Sequence, residues 1–487
     1  MPVLTPYRRL FSDLHAGRIG HSLWKNLTEV PAALQGTGDL DLYVRPATAA
    51  AFRRALGEHG FLRAHSRYAY PDVEHHYAWD EVSGRFCHLH VYFRLVTGES
   101  HLKQYCLPIE AYLQEWPPTR REDGLLQPDP EVLRRLHLFR RRIKLSCLPG
   151  LFLYARERHG YTEETAHLEA LASSCSTLEP ARLQGWLSSV VPGEPGADGL
   201  VAEARRGLRH RFELSGLSRF TPAGAWARRY AHLVLRPLNK LRRRRKRPDS
   251  GRIIAIVGLD GSGKSTAVDM LADWLGAEFD VRRVHYGHGR STLASVPVRL
   301  ALRIRQAVRG GPDAASAASA TPAAMARPKD TQSLIAHARY LALAIERRAV
   351  AATALRAAAR GELVISDRWY SLDGGKMDSA RLDPEGGSVL KRRMARWENR
   401  LYRTSPDPDL LLKMRVGVDV ALQRNRERDK IGKESDEQIV ERFRVNDDLA
   451  YRCVDQVMVD NRRSMPEVHR QLREEVWTLL LGRRATP

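Results

Sequence analysis

The run Gly258-Leu259-Asp260-Gly261-Ser262-Gly263-Lys264-Ser265-Thr266 carries the densest chemical information in this chain. It matches GxxxxGK[ST] in full. Gly258, Gly261 and Gly263 let backbone N–H groups converge on phosphate oxygens, because glycine enters conformations closed to other residues. Lys264 reaches terminal phosphates, the Ser265 hydroxyl can ligate Mg²⁺, and Thr266 opens the helix whose positive end faces the anion. The expected ligands are ATP and Mg²⁺. A second group, Asp367-Arg368-Trp369, pairs a carboxylate suited to Mg²⁺ or its waters with a cation suited to a second phosphate. A third lies near the N-terminus: Asp39 and Asp41, two carboxylates one residue apart, could hold a divalent metal on a triphosphate.

These groups need particular elements beneath them. Arg252 to Val257 is a short β-branched run and predicts a buried parallel strand leading into the glycine-rich loop. Val268, Met270, Leu271, Trp274 and Leu275 predict a following helix, with Gly276 just past its end. A second strand is expected over 281–286, a long helix over 332–360 and a strand over 362–366 that delivers Asp367 at its carboxyl end. Ligands of open α/β sheets bind outside the carboxyl ends of the strands, which puts Asp367 and Arg368 beside the loop. At Asp39 to Val44 strand alternation sends both carboxylates to one face.

Residues 251–487 resemble the thymidylate kinase family of nucleoside monophosphate kinases. The loop has an acidic third residue, Asp260, which in that family contacts the acceptor sugar. Asp367-Arg368-Trp369 resembles the family's Asp-Arg-Tyr/His. Glu346-Arg347 precedes it at the spacing of an acceptor-phosphate arginine. Pro408-Asp409-Leu410-Leu411-Leu412 resembles the strand before the lid, and Leu422 to Arg428 the arginine-rich lid. Val457 to Asp460 and a helix over 465–481 resemble the final strand and helix. The resemblance implies a P-loop three-layer α/β fold with a parallel sheet and Mg²⁺·ATP-dependent phosphoryl transfer. It implies catalytic roles for Lys264, Asp367, Arg424 and Arg428, with Arg426 also on the lid, an acceptor site at Asp260, Arg347 and Arg368, metal contacts at Ser265 and Asp367, and a homodimer. The loop has no arginine at 261 or 262, so the lid must supply the charge that phosphoryl transfer needs. Leu343 stands where the family stacks a phenylalanine on the base, which implies an acceptor other than dTMP.

The segment from Leu34 to Val44 resembles the Asp-x-Asp strand of the nucleotidyltransferase superfamily, implying an α+β front domain with Asp39 and Asp41 as metal ligands. His90, on a strand over 86–92, stands where a third acid is wanted. That substitution favours a front domain without nucleotidyl transfer. His75, His76, His88 and His90 read as ordinary strand histidines, with Cys87 turned away from the face that His88 and His90 share.

The resulting plan is an α+β domain over 1–125, a helical domain over 126–236, a basic linker over 237–250 and the kinase-like domain over 251–487. The linker carries Arg242 to Arg247 followed by Pro248, an exposed trypsin-sensitive stretch that could touch an anionic surface. Residues 310–329 are almost all Ala, Ser, Gly, Pro and Thr and predict a mobile insertion. Across 487 residues, Lys and Arg total 79 against 57 Asp and Glu, a formal charge of +22 that favours anionic partners. Five cysteines without a CxxC pair argue against a zinc ribbon or disulfide scaffold and for the cytoplasm. Three alternatives stay open: a kinase of a sugar or other small metabolite, a regulatory nucleotide-binding protein, and a nucleic-acid binder using the arginine run. The run has no interleaved aromatics for base stacking.

Overall fold

The computed structural model describes residues 3–66, 70, 72–98, 102–107, 119–121, 124–144, 162–173, 218–221, 223–225, 227–228, 231, 245–286, 333–427, 435–446 and 448–482. The chain forms two compact units, Met1–Lys246 and Arg247–Pro487. Both mix helix with sheet, and the fold class is α/β.

In the first unit strands β1 (His21–Leu23), β2 (Leu40–Val44), β3 (Leu62–His65), β4 (Val73–Trp79) and β5 (Phe86–Tyr92) lie in the order β1-β2-β5-β4-β3. The β2–β5 pair is parallel and the other pairs are antiparallel. Alternation divides the faces. Leu40, Leu42, Val44, Cys87, Leu89 and Val91 share one apolar core with Tyr7, Leu10, Phe11 and Leu14 of helix Thr5–Ala16, whose spacing follows the helical repeat. Asp41 and His90 lie on the other face, in direct register. Of the helical region expected over 126–236, the described part includes helix Pro130–Lys144 and helical residues 162–173. Most of the rest lies outside the described residues.

Glu74 on β4 is buried and accepts from His76 Nε2 at 2.9 Å and Arg53 Nη2 at 3.0 Å, with Arg63 Nη2 at 3.1 Å. Burial works against its charge, but these partners outweigh it and hold the carboxyl down at about 2. The unfolded value is about 4.3. The stabilisation is therefore present above about pH 4 and is lost as pH falls through about 2. Arg53 and Arg63 are each more than a third exposed, so screening limits the effect to about 1 kcal/mol. Glu74→Gln should flatten that part of the acid-unfolding curve; an unchanged slope between pH 4 and 2 would contradict the assignment.

In the second unit strands β6 (Arg252–Gly258), β7 (Val281–His285), β8 (Leu363–Asp367), β9 (Leu410–Arg415) and β10 (Asp455–Asp460) form an all-parallel sheet in the order β7-β8-β6-β9-β10. Ile253, Ala255 and Val257 pack against Ala351, Ala354 and Ala357 of helix Leu334–Ala358, where small side chains let the long helix lie close to the sheet. Helices Lys264–Gly276 and Met465–Leu480 meet through Trp274 and Trp477, ring centroids 6.3 Å apart. Gly276 is the last helical residue rather than the position after it; Ala277 caps the helix, its N–H returning to Asp273 O.

The basic segment is not uniformly exposed. Lys246 donates to Tyr77 Oη, and Arg247 Nε lies 2.9 Å from Asp280 Oδ2. Pro248 is buried. Arg242 to Arg244 and the insertion over 310–329 lie outside the described residues. No helix among the described residues is long and apolar enough to cross a membrane.

Candidate functional site

The carboxyl ends of β6 and β8 bring one group together. Ile256 and Asp367 are in register, so the loop after Gly258 and the Asp367-Arg368 pair emerge side by side. Three loop glycines have left-handed φ values: +151° at Gly258, +83° at Gly261 and +86° at Gly263. A Cβ on Gly258 would sit 2.6 Å from Met414 O, and one on Gly263 would strike Asn461 Nδ2. The loop is thus closed to side chains at both ends. Lys264 begins the helix, is 7% exposed, and donates from Nζ to Leu259 O at 2.6 Å. Burial lowers its pKa to about 8 despite the nearby Asp260 carboxylate. Ser265 and Thr266 are exposed on the first helical turn.

Asp260 binds Arg368 Nη2 at 2.8 Å and Arg442 Nη1, and Lys264 Nζ lies at 3.7 Å. Burial would raise the Asp260 carboxyl, but these three cations bring it below its ordinary value. Arg368 continues to Asp378 Oδ2 at 3.4 Å, and Asp378 Oδ1 accepts from Arg347 Nη2 at 2.8 Å. Arg347 also donates to Tyr402 Oη at 3.0 Å and stacks over the Tyr286 ring at 5.5 Å. An alternating ion chain therefore runs Arg442–Asp260–Arg368–Asp378–Arg347. Arg368 and Asp378, at φ +72° and +59°, are non-glycine residues in the left-handed region. Such strain of roughly 1–3 kcal/mol per residue persists where surrounding structure imposes it, and it gathers at ligand sites.

Asp367 Oδ2 lies 2.9 Å from His285 Nδ1, while Oδ1 is buried with no hydrogen-bond partner among the described residues. Burial opposes its charge, but the His285 hydrogen bond leads the effects that lower its pKa. The orphaned oxygen beside the loop suits Mg²⁺ or its waters. On helix Val418–Glu427, Arg424 Nη1 donates to Gly261 O at 2.9 Å and so reaches the loop. Arg426 instead turns to Asp436, with Nε 3.1 Å from Oδ2, and is exposed. Arg428 lies outside the described residues.

No family model matches this chain, and no curated protein does. Within the cluster, Lys264, Arg347, Arg368 and Arg442 face the carboxylates of Asp260, Asp367 and Asp378, leaving one more cation than anion before His285. The arrangement can hold phosphates and keep a second anion close to them. Sequence reasoning missed Arg442, Asp378, Asn461 and His285. Asn461 follows the terminal strand directly and donates to Ser262 O at 2.7 Å. Arg442 lies on helix Asp436–Asn446, whose Glu441-Arg442-Phe443-Arg444 run resembles a solvated face. Only burial singles it out.

The front carboxylates are held differently. Lys25 Nζ lies 2.5 Å from Asp41 Oδ1, His90 Nδ1 lies 3.1 Å from the same oxygen, and Asn26 Nδ2 donates to Oδ2 at 2.9 Å. His90 Nδ1 is 3.3 Å from Asp39 Oδ2. One ligand atom from each of Asp39, Asp41 and His90 falls within 4.8 Å of the others. Burial would raise the Asp41 pKa, but Lys25 and His90 hold it at about 2. Asp39 is held well below its ordinary value by His90, His88 and Lys25 despite burial. Mg²⁺ does not fit here as the residues stand: the Lys25 ammonium already occupies the cation position on Asp41. Sequence reasoning gave no role to Lys25. Of the other histidines, His76 serves Glu74, and His75 Nδ1 lies 3.0 Å from His88 Nε2.

Proposed function

We propose that the second unit is a Mg²⁺·ATP-dependent phosphotransferase with a P-loop fold of the thymidylate-kinase-like kind. Its acceptor is a nucleoside monophosphate or a related small phosphorylated metabolite. The observation that carries this reading is the ion chain from Arg442 to Arg347 set beside the glycine loop at the carboxyl ends of parallel strands. The loop amides and Lys264 bind the triphosphate. Arg347 and Arg368 hold the acceptor's anionic group, displacing carboxylates they now contact, and Asp260 orients the rest. Arg424, and Arg428 beyond it, bring positive charge to the transferring group; Arg426 faces away. Bound at Ser265 and Asp367, Mg²⁺ would supply charge neutralisation at the phosphates.

Because Asp378 already satisfies Arg347 and Arg368, a regulatory protein that binds nucleotide without transfer is the second reading. The first unit is proposed to have a nucleotidyltransferase-like fold without transfer, since Lys25 neutralises Asp41. From resemblance and charge we further propose a homodimer, a cytoplasmic location and contact of the basic segment with an anionic surface.

The acceptor is tested by ADP release with a panel of nucleoside monophosphates and sugar phosphates. Leu343 lacks the ring that would stack on thymine, a contact worth about 0.5–1.5 kcal/mol beyond area burial. Another acceptor should therefore exceed dTMP in kcat/KM. A panel in which dTMP is best would contradict the acceptor assignment, and one without acceptor-dependent release would favour the regulatory reading.

A further inference from the structure

Helix Val389–Arg403 of the second unit packs by one face only. Ala395, Glu398 and Tyr402 recur at helical spacing and are buried. Glu398, the sole acidic residue of the helix, faces inward and accepts from the backbone N–H groups of Arg381 at 3.0 Å and Leu382 at 2.8 Å. Its charge is therefore not offered to the surface.

The outer face carries two stripes side by side. Leu390, Met394, Trp397 and Leu401 follow one another at helical spacing. Leu390 is 54% exposed and Trp397 52%, with Val389 exposed beside them in the first turn; Met394 and Leu401 are half-buried. Arg393, Arg396, Arg400 and Arg403 form the second stripe, all exposed, with no ion pair among the described residues. Like charges three and four residues apart destabilise a helix. An anionic partner removes that cost, and an apolar layer beneath the anions accommodates Leu390 and Trp397.

We propose that this face rests on an anionic lipid surface. The four guanidinium groups sit at the level of the lipid phosphates, which suit their forked donors, while Leu390 and Trp397 enter the boundary between headgroups and acyl chains. Tryptophan suits that boundary, having an apolar body and one N–H. A second copy of this chain fits less well, because a two-fold contact through this face would bring the same arginines together. Nucleic acid also fits less well, because one ring with aliphatic neighbours gives little for successive bases to stack on. The helix lies on the surface and does not cross it.

The test is flotation of the full-length chain with vesicles of equal parts phosphatidylcholine and phosphatidylserine, and with vesicles of phosphatidylcholine alone. The chain should float with the anionic vesicles and not with the neutral ones. Affinity should fall at least about tenfold in the double variant Arg393→Gln/Arg400→Gln, and as much in Leu390→Gln/Trp397→Gln, because charge and apolar insertion act together. All four side chains are exposed, so the fold should survive, which circular dichroism checks. The basic segment before Gly251 could adsorb by charge alone, so a second readout isolates the helix. Anionic vesicles with bromine-labelled acyl chains should quench part of the tryptophan emission of the wild type. Trp397→Phe, which keeps the apolar ring, should still float but lose that quenching. No flotation with anionic vesicles, equal affinity of wild type and the arginine double variant, or quenching unchanged in Trp397→Phe would each overturn the proposal. A dimer that Leu390→Gln/Trp397→Gln converts to monomer in sedimentation equilibrium would also overturn it, assigning the face to a second copy. Binding of poly(U) RNA that is lost in the same two double variants would overturn it in favour of nucleic acid.

Discussion

Lys264→Ala should lower ATP-dependent phosphoryl transfer by at least about a hundredfold and leave the fold intact. Preorganised charge at the transferring group is worth about 10²–10³ in rate when one donor is removed. Lys264 Nζ sits at the centre of the loop, on Leu259 O and 3.7 Å from Asp260. Its pKa is already lowered by burial, so loss of the ammonium removes a desolvated charge and not a packing group. Circular dichroism and the unfolding midpoint should change little. More than a tenth of wild-type turnover at saturating Mg²⁺·ATP would remove Lys264, and the loop with it, from the proposed chemistry.

Lys25→Met should destabilise the first unit by about 3–5 kcal/mol, because it leaves the buried Asp41 carboxylate without its counter-charge. Asp41 and Lys25 side chains are 0% and 9% exposed, and Asn26 and His90 cannot by themselves balance two carboxylates. Lys25→Met combined with Asp41→Leu should recover most of the loss, since replacing both members with apolar groups removes the stranded charge. Chemical denaturation of the single and double variants measures this. A single variant within 1 kcal/mol of wild type would show that Lys25 does not neutralise the front carboxylates. Metal titration of the same variant supplies a second readout: Mn²⁺ binding that appears only after Lys25 is removed would show that the ammonium holds the cation position.

Local patterns in the sequence carried the second unit's frame. The β-branched run before Gly258 and the apolar run before Asp367 could pack only as buried strands, and they form adjacent parallel strands in register. The loop glycines were legible because their spacing admits few alternatives. What the sequence hid is long-range. Arg442 meets Asp260 across 182 residues, and nothing in its neighbourhood separates it from the solvent-facing Arg444. Asp378 lies in a stretch of Gly, Ser and Asp that resembles a surface turn, yet it is buried between two arginines. In the first unit, alternation along one strand could not give the register of Asp41 with His90, and Lys25 reaches the carboxylate from a different segment, so only tertiary packing reveals either. The helix boundary at Gly276 slipped by one residue, as helix ends do when the turn closes on its own backbone carbonyls.

The measurement that bears most directly on the phosphotransferase reading follows the label of [γ-³²P]ATP in the wild-type full-length chain with Mg²⁺ and the panel of monophosphates and sugar phosphates. The account predicts that label moves into one acceptor, that transfer requires both Mg²⁺ and that acceptor, and that Lys264→Ala abolishes it. Tight ATP binding with label remaining on ATP or passing only to water, for every acceptor, would contradict it.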